Sequence, residues 1–174
     1  MKIRVKYFEG ATRLKKIEKG NWIDVYSNKD VFVPVNERAM IPLGFALELP
    51  SGWEAHLAPR SSTFKTWGII QTNSVGVVDD TYIGDNDQWH MPVYCLEGRH
   101  FKDEKSSVEN KKFEGTWIRR GDKIAQFRIM EVMPEIEFLE VESFGNSDRG
   151  GFGSTGKRKE KKDKKRDWLC QKFH

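Results

Sequence analysis

An all-β, jelly-roll-like barrel is the fold class that residues 1–147 predict, and three observations predict it. Apolar and polar residues alternate in short runs, turn-forming residues recur between those runs, and only Ser61–Trp67 reads as a helical turn. Ile3, Val5 and Tyr7 alternate with charged residues and open the series. Further strands are expected at 45–49, 53–58, 68–79, 89–96, 123–132 and 135–142, where Ile136 and Phe138 alternate with Glu135 and Glu137. Pro42, Pro50-Ser51-Gly52, Gly84-Asp85-Asn86 and Gly121-Asp122 separate them. Residues 97–118 are charged and weakly patterned, and are expected to be an inserted loop or hairpin.

Charge is distributed unevenly. The 174 residues carry 30 Lys+Arg against 26 Asp+Glu, a net +4. Residues 157–174 alone hold nine basic and three acidic residues, so the preceding 156 residues are slightly acidic. Such a block reads as a basic, disordered tail with weak polyanion binding as its expected property. No nucleic-acid-binding module pattern accompanies it. No apolar run approaches the ~20 residues of a membrane span, and the first residues have no signal-peptide core. The expectation is a cytoplasmic protein (host cytoplasm for a phage-encoded one) with no membrane partner. Cys95 and Cys170 are far apart and lack CxxC spacing, which argues against a disulfide framework or a zinc site.

Three segments carry chemistry. Residues 150–157, GGFGSTGK, satisfy the spacing of both a dinucleotide fingerprint and a phosphate loop, but no strand feeds them and a lysine tail follows. What survives is a glycine-rich segment offering N–H groups, hydroxyls and nearby Arg149 to an anion. Ala58-Pro59-Arg60-Ser61-Ser62 places a guanidinium and two hydroxyls at a strand end, a set suited to phosphate oxygens. Residues 73–84, NSVGVVDDTYIG, run an apolar strand into a carboxylate, with a tyrosine three residues later. The four histidines show no ligand spacing, and no Ser-His-Asp or Cys-His signature is visible.

In their order, APRSS at 58–62, NSVGVVDDTYIG at 73–84, GDKIAQ at 121–126 and DRGGFGSTG at 148–156 resemble the motifs of the trimeric dUTP diphosphatases (dUTPases). The resemblance runs from Asp24 to Gly156 and is strongest to dUTPases of Gram-positive bacteria and their phages. The first motif departs from the family pattern Ala-Gly-x-Asp-Leu, reading Asn21-Trp22-Ile23-Asp24-Val25, and Ser62 stands where many members have glycine.

The resemblance implies a jelly-roll-like barrel of the dUTPase type, with its C-terminal arm exchanged in a homotrimer. It divides the chain into a core at 1–147, a mobile arm at 148–156 and the tail. It implies hydrolysis of dUTP to dUMP and pyrophosphate, with Asp79 as the base that activates water. Arg60, Ser61, Ser62 and Gln126 are implied to bind the phosphates. Asn73 and the backbone of Gly76, Val77 and Val78 would read uracil, with Tyr82 under the deoxyribose. Phe152 would stack on the base as the arm closes, with Arg149, Gly153, Ser154 and Thr155 toward the terminal phosphate. The implied cofactor is Mg2+, reached by Asp24 through water. A dCTP deaminase on the same fold is the alternative enzyme, although no acidic residue directly follows the glycine arm. A regulatory protein partner contacting 97–118 is the alternative role, in addition to catalysis.

Overall fold

The structure is a computed structural model and describes residues 1–15, 18–105 and 110–150. It contains twelve strands and one short helix among those residues. They are β1 (Arg4–Tyr7), β2 (Ile23–Tyr26), β3 (Val31–Pro34), β4 (Arg38–Pro42), β5 (Phe45–Glu48), β6 (Trp53–Pro59), α1 (Thr63–Trp67), β7 (Ile69–Gln71), β8 (Gly76–Val78), β9 (His90–Cys95), β10 (His100–Lys105), β11 (Asn110–Ile118) and β12 (Lys123–Glu131). All pairings are antiparallel, in four small sheets ordered β1-β5, β10-β11-β3, β2-β12-β6-β8 and β4-β9-β7. The strand-rich, jelly-roll-like architecture expected from the alternation is therefore present.

Alternation decides which side of each strand enters the core. Along β9, Met91, Val93 and Cys95 are buried while His90, Pro92 and Tyr94 lie on the opposite face. Val25 of β2, Ala55 and Leu57 of β6, and Ala125 and Phe127 of β12 supply the other side of the same apolar cluster. At its centre Trp89 meets Phe127 edge-to-face at 5.2 Å and Phe45 at 5.2 Å, while Phe45 and Phe127 are 6.0 Å apart. Large, rigid rings in tilted contact fill this volume with little rotamer entropy to lose.

Two expected elements differ. The strand anticipated over 68–79 is two strands, because the chain turns between β7 and β8 with Ser74 at φ 56°, and the two then pair in different sheets, β7 with β9 and β8 with β6. Residues 135–142 form no strand. Their alternation marks two faces, but a strand also needs a neighbour to take its N–H and C=O groups. The chain divides into two units, 1–134 and 135–174. Within the described part of the second, Phe138, Leu139 and Phe144 are all more than four-fifths exposed. The segment expected as an insertion is a hairpin in its first part, with His100 opposite Gly115 and Lys105 opposite Asn110. Its end belongs to the core: Gly115–Ile118 pair with β3, and Thr116 and Ile118 are fully buried. No helix among the described residues is long and apolar enough to cross a membrane.

Gly68 joins α1 to β7 and so sets where β7 begins. Its φ is 67°, its N–H donates to the Phe64 carbonyl at 2.7 Å, and a Cβ there would lie 2.0 Å from the Glu97 carbonyl oxygen. Gly68→Ala is expected to lower unfolding stability by more than about 1 kcal/mol, through both the left-handed backbone and the clash. Urea denaturation with an unchanged m-value checks this.

Candidate functional site

A cavity of about 400 Å³ opens beside β8 and the turn that leads into it from β7. Its lining includes Asn73, Gly76, Asp79 and Tyr82, together with Trp89 and His90. This volume lies within the usual range for small-molecule sites. The backbone closes in at Gly76, where an added Cβ would sit 3.3 Å from the Leu57 Cβ. Asn73 is not left to swing. Its Oδ1 accepts a hydrogen bond from the Gln71 Nε2 at 2.9 Å. Across the cavity the Gln88 carbonyl accepts from the Tyr82 hydroxyl at 3.4 Å and lies 2.8 Å from His90 Nδ1. His90 therefore reaches the cavity, although its sequence context had assigned it no role.

Asp79 stands at the rim, immediately after β8. Its Oδ1 accepts from the Thr81 backbone N–H at 2.9 Å and from the Thr81 hydroxyl, while Oδ2 makes no hydrogen bond among the described residues. The Thr81 hydroxyl and then the Thr81 N–H hold the Asp79 carboxyl below the usual carboxylate range, because both donate to its charged form. The carboxylate is thus fixed through one oxygen, ionised, and open at the other.

A second cluster lies at the other end of β6. Gln126 of β12 pairs with Asp24 of β2 on one side and with Ala58 of β6 on the other. Asp24 Oδ1 lies 2.9 Å from Arg60 Nε, and Asp24 Oδ2 lies 2.9 Å from Lys123 Nζ. Lys123 pairs with Tyr26, and a register shift between Lys123 and Ala125 marks an irregularity in the ladder beside it. Thr63 pins the adjoining turn: its hydroxyl donates to the Ile124 carbonyl at 2.8 Å and accepts from the Arg60 N–H at 2.9 Å. Ser62, at the N-cap of α1, makes no capping bond with its side chain. Arg60, Lys123, Gln126, Ser61 and Ser62 thus form a donor-rich surface around one carboxylate, and that surface suits an anion with many oxygens.

The two clusters do not meet within one chain. Val78 pairs with Ala55, so Asp79 falls at the level of Glu54, near the N-terminal end of β6, whereas Arg60 follows its C-terminal end. At ~3.3 Å per residue the strand is roughly 20 Å long. Arg149 is exposed in the second unit, and Phe152, Gly153, Ser154 and Thr155 lie outside the described residues, as does the 157–174 tail.

Magnesium finds few ligands here. Among the described residues no group of three or more His, Cys, Asp or Glu side chains could hold a metal ion. Asp24 is the one carboxylate bonded within the donor cluster, and two cations already face it. The donor set fits a magnesium ion that arrives on an oligophosphate with its own waters, not a bare ion caged by protein.

Sequence reasoning missed Thr81, Lys123, Gln71 and His90. Asp followed two residues later by Thr is a local turn pattern and could have flagged Thr81. A glutamine inside the apolar run Ile69-Ile70-Gln71 could have flagged a buried polar role.

Known proteins resemble this chain in sequence and in fold. A family model described as dUTPase matches residues 17–101. An SPβ prophage-derived deoxyuridine 5′-triphosphate nucleotidohydrolase of Bacillus subtilis is 48% identical over 157 residues, covering 90% of this chain and 99% of the relative. A dUTPase of Staphylococcus bacteriophage 80alpha, solved as a mutant with dUpNHpp, has a TM-score of 0.69 at 20% identity, over 89% of this chain and 98% of that one. The dUTPase of phage phi11 of S. aureus, solved as a mutant revealing coordination of a structural Mg(II) ion, has a TM-score of 0.65 at 20% identity, over 83% and 99%.

The carboxyl of Asp79 is expected to titrate below ordinary aspartates in a carbon-detected NMR titration. Thr81→Val removes the largest of the three hydrogen-bond contributions that favour the charged form, those of the Thr81 hydroxyl, the Thr81 N–H and the Tyr82 N–H, and is expected to move that titration to higher pH. An unmoved titration would mean that the Thr81 hydroxyl does not set the charge of the site.

Proposed function

We propose that this chain, which belongs to the dUTPase family, uses Asp79 to direct a water molecule onto the α-phosphorus of dUTP. As a dUTP diphosphatase it converts dUTP and water to dUMP and pyrophosphate. The observation that carries the mechanism is a carboxylate anchored at one oxygen and open at the other, on the rim of a nucleoside-sized cavity. The water loses its proton to Asp79 as its oxygen bonds to the α-phosphorus. The bond from that phosphorus to the bridging oxygen breaks, and pyrophosphate leaves. With its charged form favoured by Thr81, Asp79 is a weak base, so it contributes orientation more than basicity.

The base enters between the 73–79 segment and Trp89. Its amide edge meets Asn73 and the backbone of Gly76–Val78, and the closeness of that backbone leaves no room for a 5-methyl group. Tyr82 packs beneath the deoxyribose. Arg60, Ser61, Ser62, Lys123 and Gln126 take the phosphates. Magnesium, when bound to the triphosphate, neutralises charge that would otherwise repel the attacking oxygen. Asp24, which pairs with Arg60 and Lys123, would face that ion through water.

One α-phosphate cannot touch both clusters of a single chain across roughly 20 Å of β6. The site is therefore built between copies, with Asp79 from one subunit and Arg60 from another, in a homotrimer. The exposed apolar residues of 135–144 supply an arm that has surface to bury on a neighbour. Beyond it, Arg149, Phe152, Gly153, Ser154 and Thr155 close over base and phosphates and exclude water.

Among the dNTPs and UTP, wild-type protein is expected to cleave dUTP. Asp79→Asn should lower kcat by ~10²–10⁴-fold while leaving the affinity for a non-hydrolysable dUTP analogue nearly intact. A variant retaining wild-type kcat would remove Asp79 from the mechanism, and ammonia released from dCTP would reassign the reaction. A second measurement addresses assembly. Asp79→Asn and Arg60→Ala, each inactive alone, should regain about a quarter of wild-type turnover when refolded together in equal amounts, since mixed trimers then contain intact sites. No recovery would place both residues in the same subunit's site.

A further inference from the structure

We propose that Gln71 is a positioning residue that selects uracil over cytosine by fixing which end of the Asn73 amide faces the base. The proposal rests on the reading that Asn73 meets the base edge. Gln71 is itself 6% exposed and does not line the cavity. Its amide has one orientation that works, and a backbone carbonyl decides it. Gln71 Nε2 donates to the Leu57 carbonyl at 3.0 Å, and a carbonyl can only accept. The same nitrogen donates its other hydrogen to Asn73 Oδ1 at 2.9 Å. Reversing Gln71 would set its oxygen against two acceptors. The observed orientation persists although Gln71 Oε1 is buried with no partner of its own.

Asn73 inherits that choice. With Oδ1 committed to Gln71, the amide nitrogen is the end left to offer. Asn73 Nδ2 lies beside the cavity wall, 3.6 Å from where a Gly76 Cβ would stand. Uracil presents a carbonyl oxygen at position 4, which accepts from an N–H. Cytosine presents an amino group there, which meets the same N–H donor to donor. A freely turning asparagine could offer its oxygen to cytosine as readily as its nitrogen to uracil. The carbonyl of Leu57 on β6 thus specifies, through Gln71, a hydrogen-bond polarity in the cavity. A site of this kind rejects a mismatched donor more strongly than a missing contact would, because a polar group is left unpaired.

The test is kcat/KM for dUTP and dCTP in wild type, Gln71→Met, Gln71→Glu, Asn73→Ala and the Gln71→Met/Asn73→Ala double variant, with thermal unfolding to establish that each is folded. Gln71→Met keeps the volume and removes the donor. It is expected to lower the dUTP-to-dCTP ratio by about tenfold or more, mainly through KM. Gln71→Glu, ionised, offers only acceptors, draws Nδ2 inward, and should lower the ratio further. Where the buried charge of Gln71→Glu prevents folding, Gln71→Met carries the test alone. In the Asn73→Ala background Gln71→Met should change nothing more. A folded Gln71→Met with the wild-type ratio, beside an Asn73→Ala that loses it, overturns the role of Gln71 and leaves the Asn73 reading standing. An unchanged ratio in Asn73→Ala overturns that reading, and the role of Gln71 with it. Equal losses from Gln71→Met with and without Asn73 also overturn it, since the effect would not pass through the asparagine.

Discussion

The contact among Phe45, Trp89 and Phe127 holds the domain together. Each ring belongs to a different stretch of chain, and the strands around them are three to nine residues long, too short to be stable singly. Packing three rings at tilted angles pins the β12 ladder against the loop that enters β9. Trp89 serves two masters. One part of its indole is core, and another lines the cavity, so the surface on which a base would lie is as rigid as the interior. A site formed by the back of a core residue needs little further ordering when a ligand arrives.

β6 imposes the second constraint. Antiparallel register leaves no freedom over which residues stand at which end. With Val78 opposite Ala55, and Ala58 opposite Gln126, the anchored carboxylate and the donor cluster are driven apart by the length of the strand. Lengthening side chains cannot close that gap. In the proposed mechanism, groups so separated act together only when the surface is repeated by symmetry.

Much of the fold was legible because period-two alternation reports the very property that buries a strand face. It worked best for β1, β6, β9 and β12. It failed for β2, for β3 and β4, where apolar residues run together as Val31-Phe32-Val33 and Ala39-Met40-Ile41 instead of alternating, and for the end of β11, where Thr116 and Ile118 follow a long charged stretch. It also promised a strand at 135–142, since alternation says which side chains share a face and nothing about whether a neighbour exists. For the site, residues with a chemistry of their own stood out: Asp79, Arg60, Asn73, Gln126. Those that act by holding another residue did not. Thr81, Gln71 and Lys123 have ordinary side chains whose meaning comes from what folding sets beside them, and that information is three-dimensional.

The exposed arm after residue 134 has a consequence in terms of mass action. Phe138, Leu139 and Phe144 stand in water in the isolated chain, and the proposed site takes groups from more than one copy. Folding of a single chain then yields scaffold without competence, and competence is reached through encounter. Dilution would return apolar surface to water and dismantle sites at once, so rate would fall faster than the first power of chain concentration. Catalytic output in such a system registers how much of the protein a compartment holds, and its onset as the chain accumulates is a threshold, not a slope.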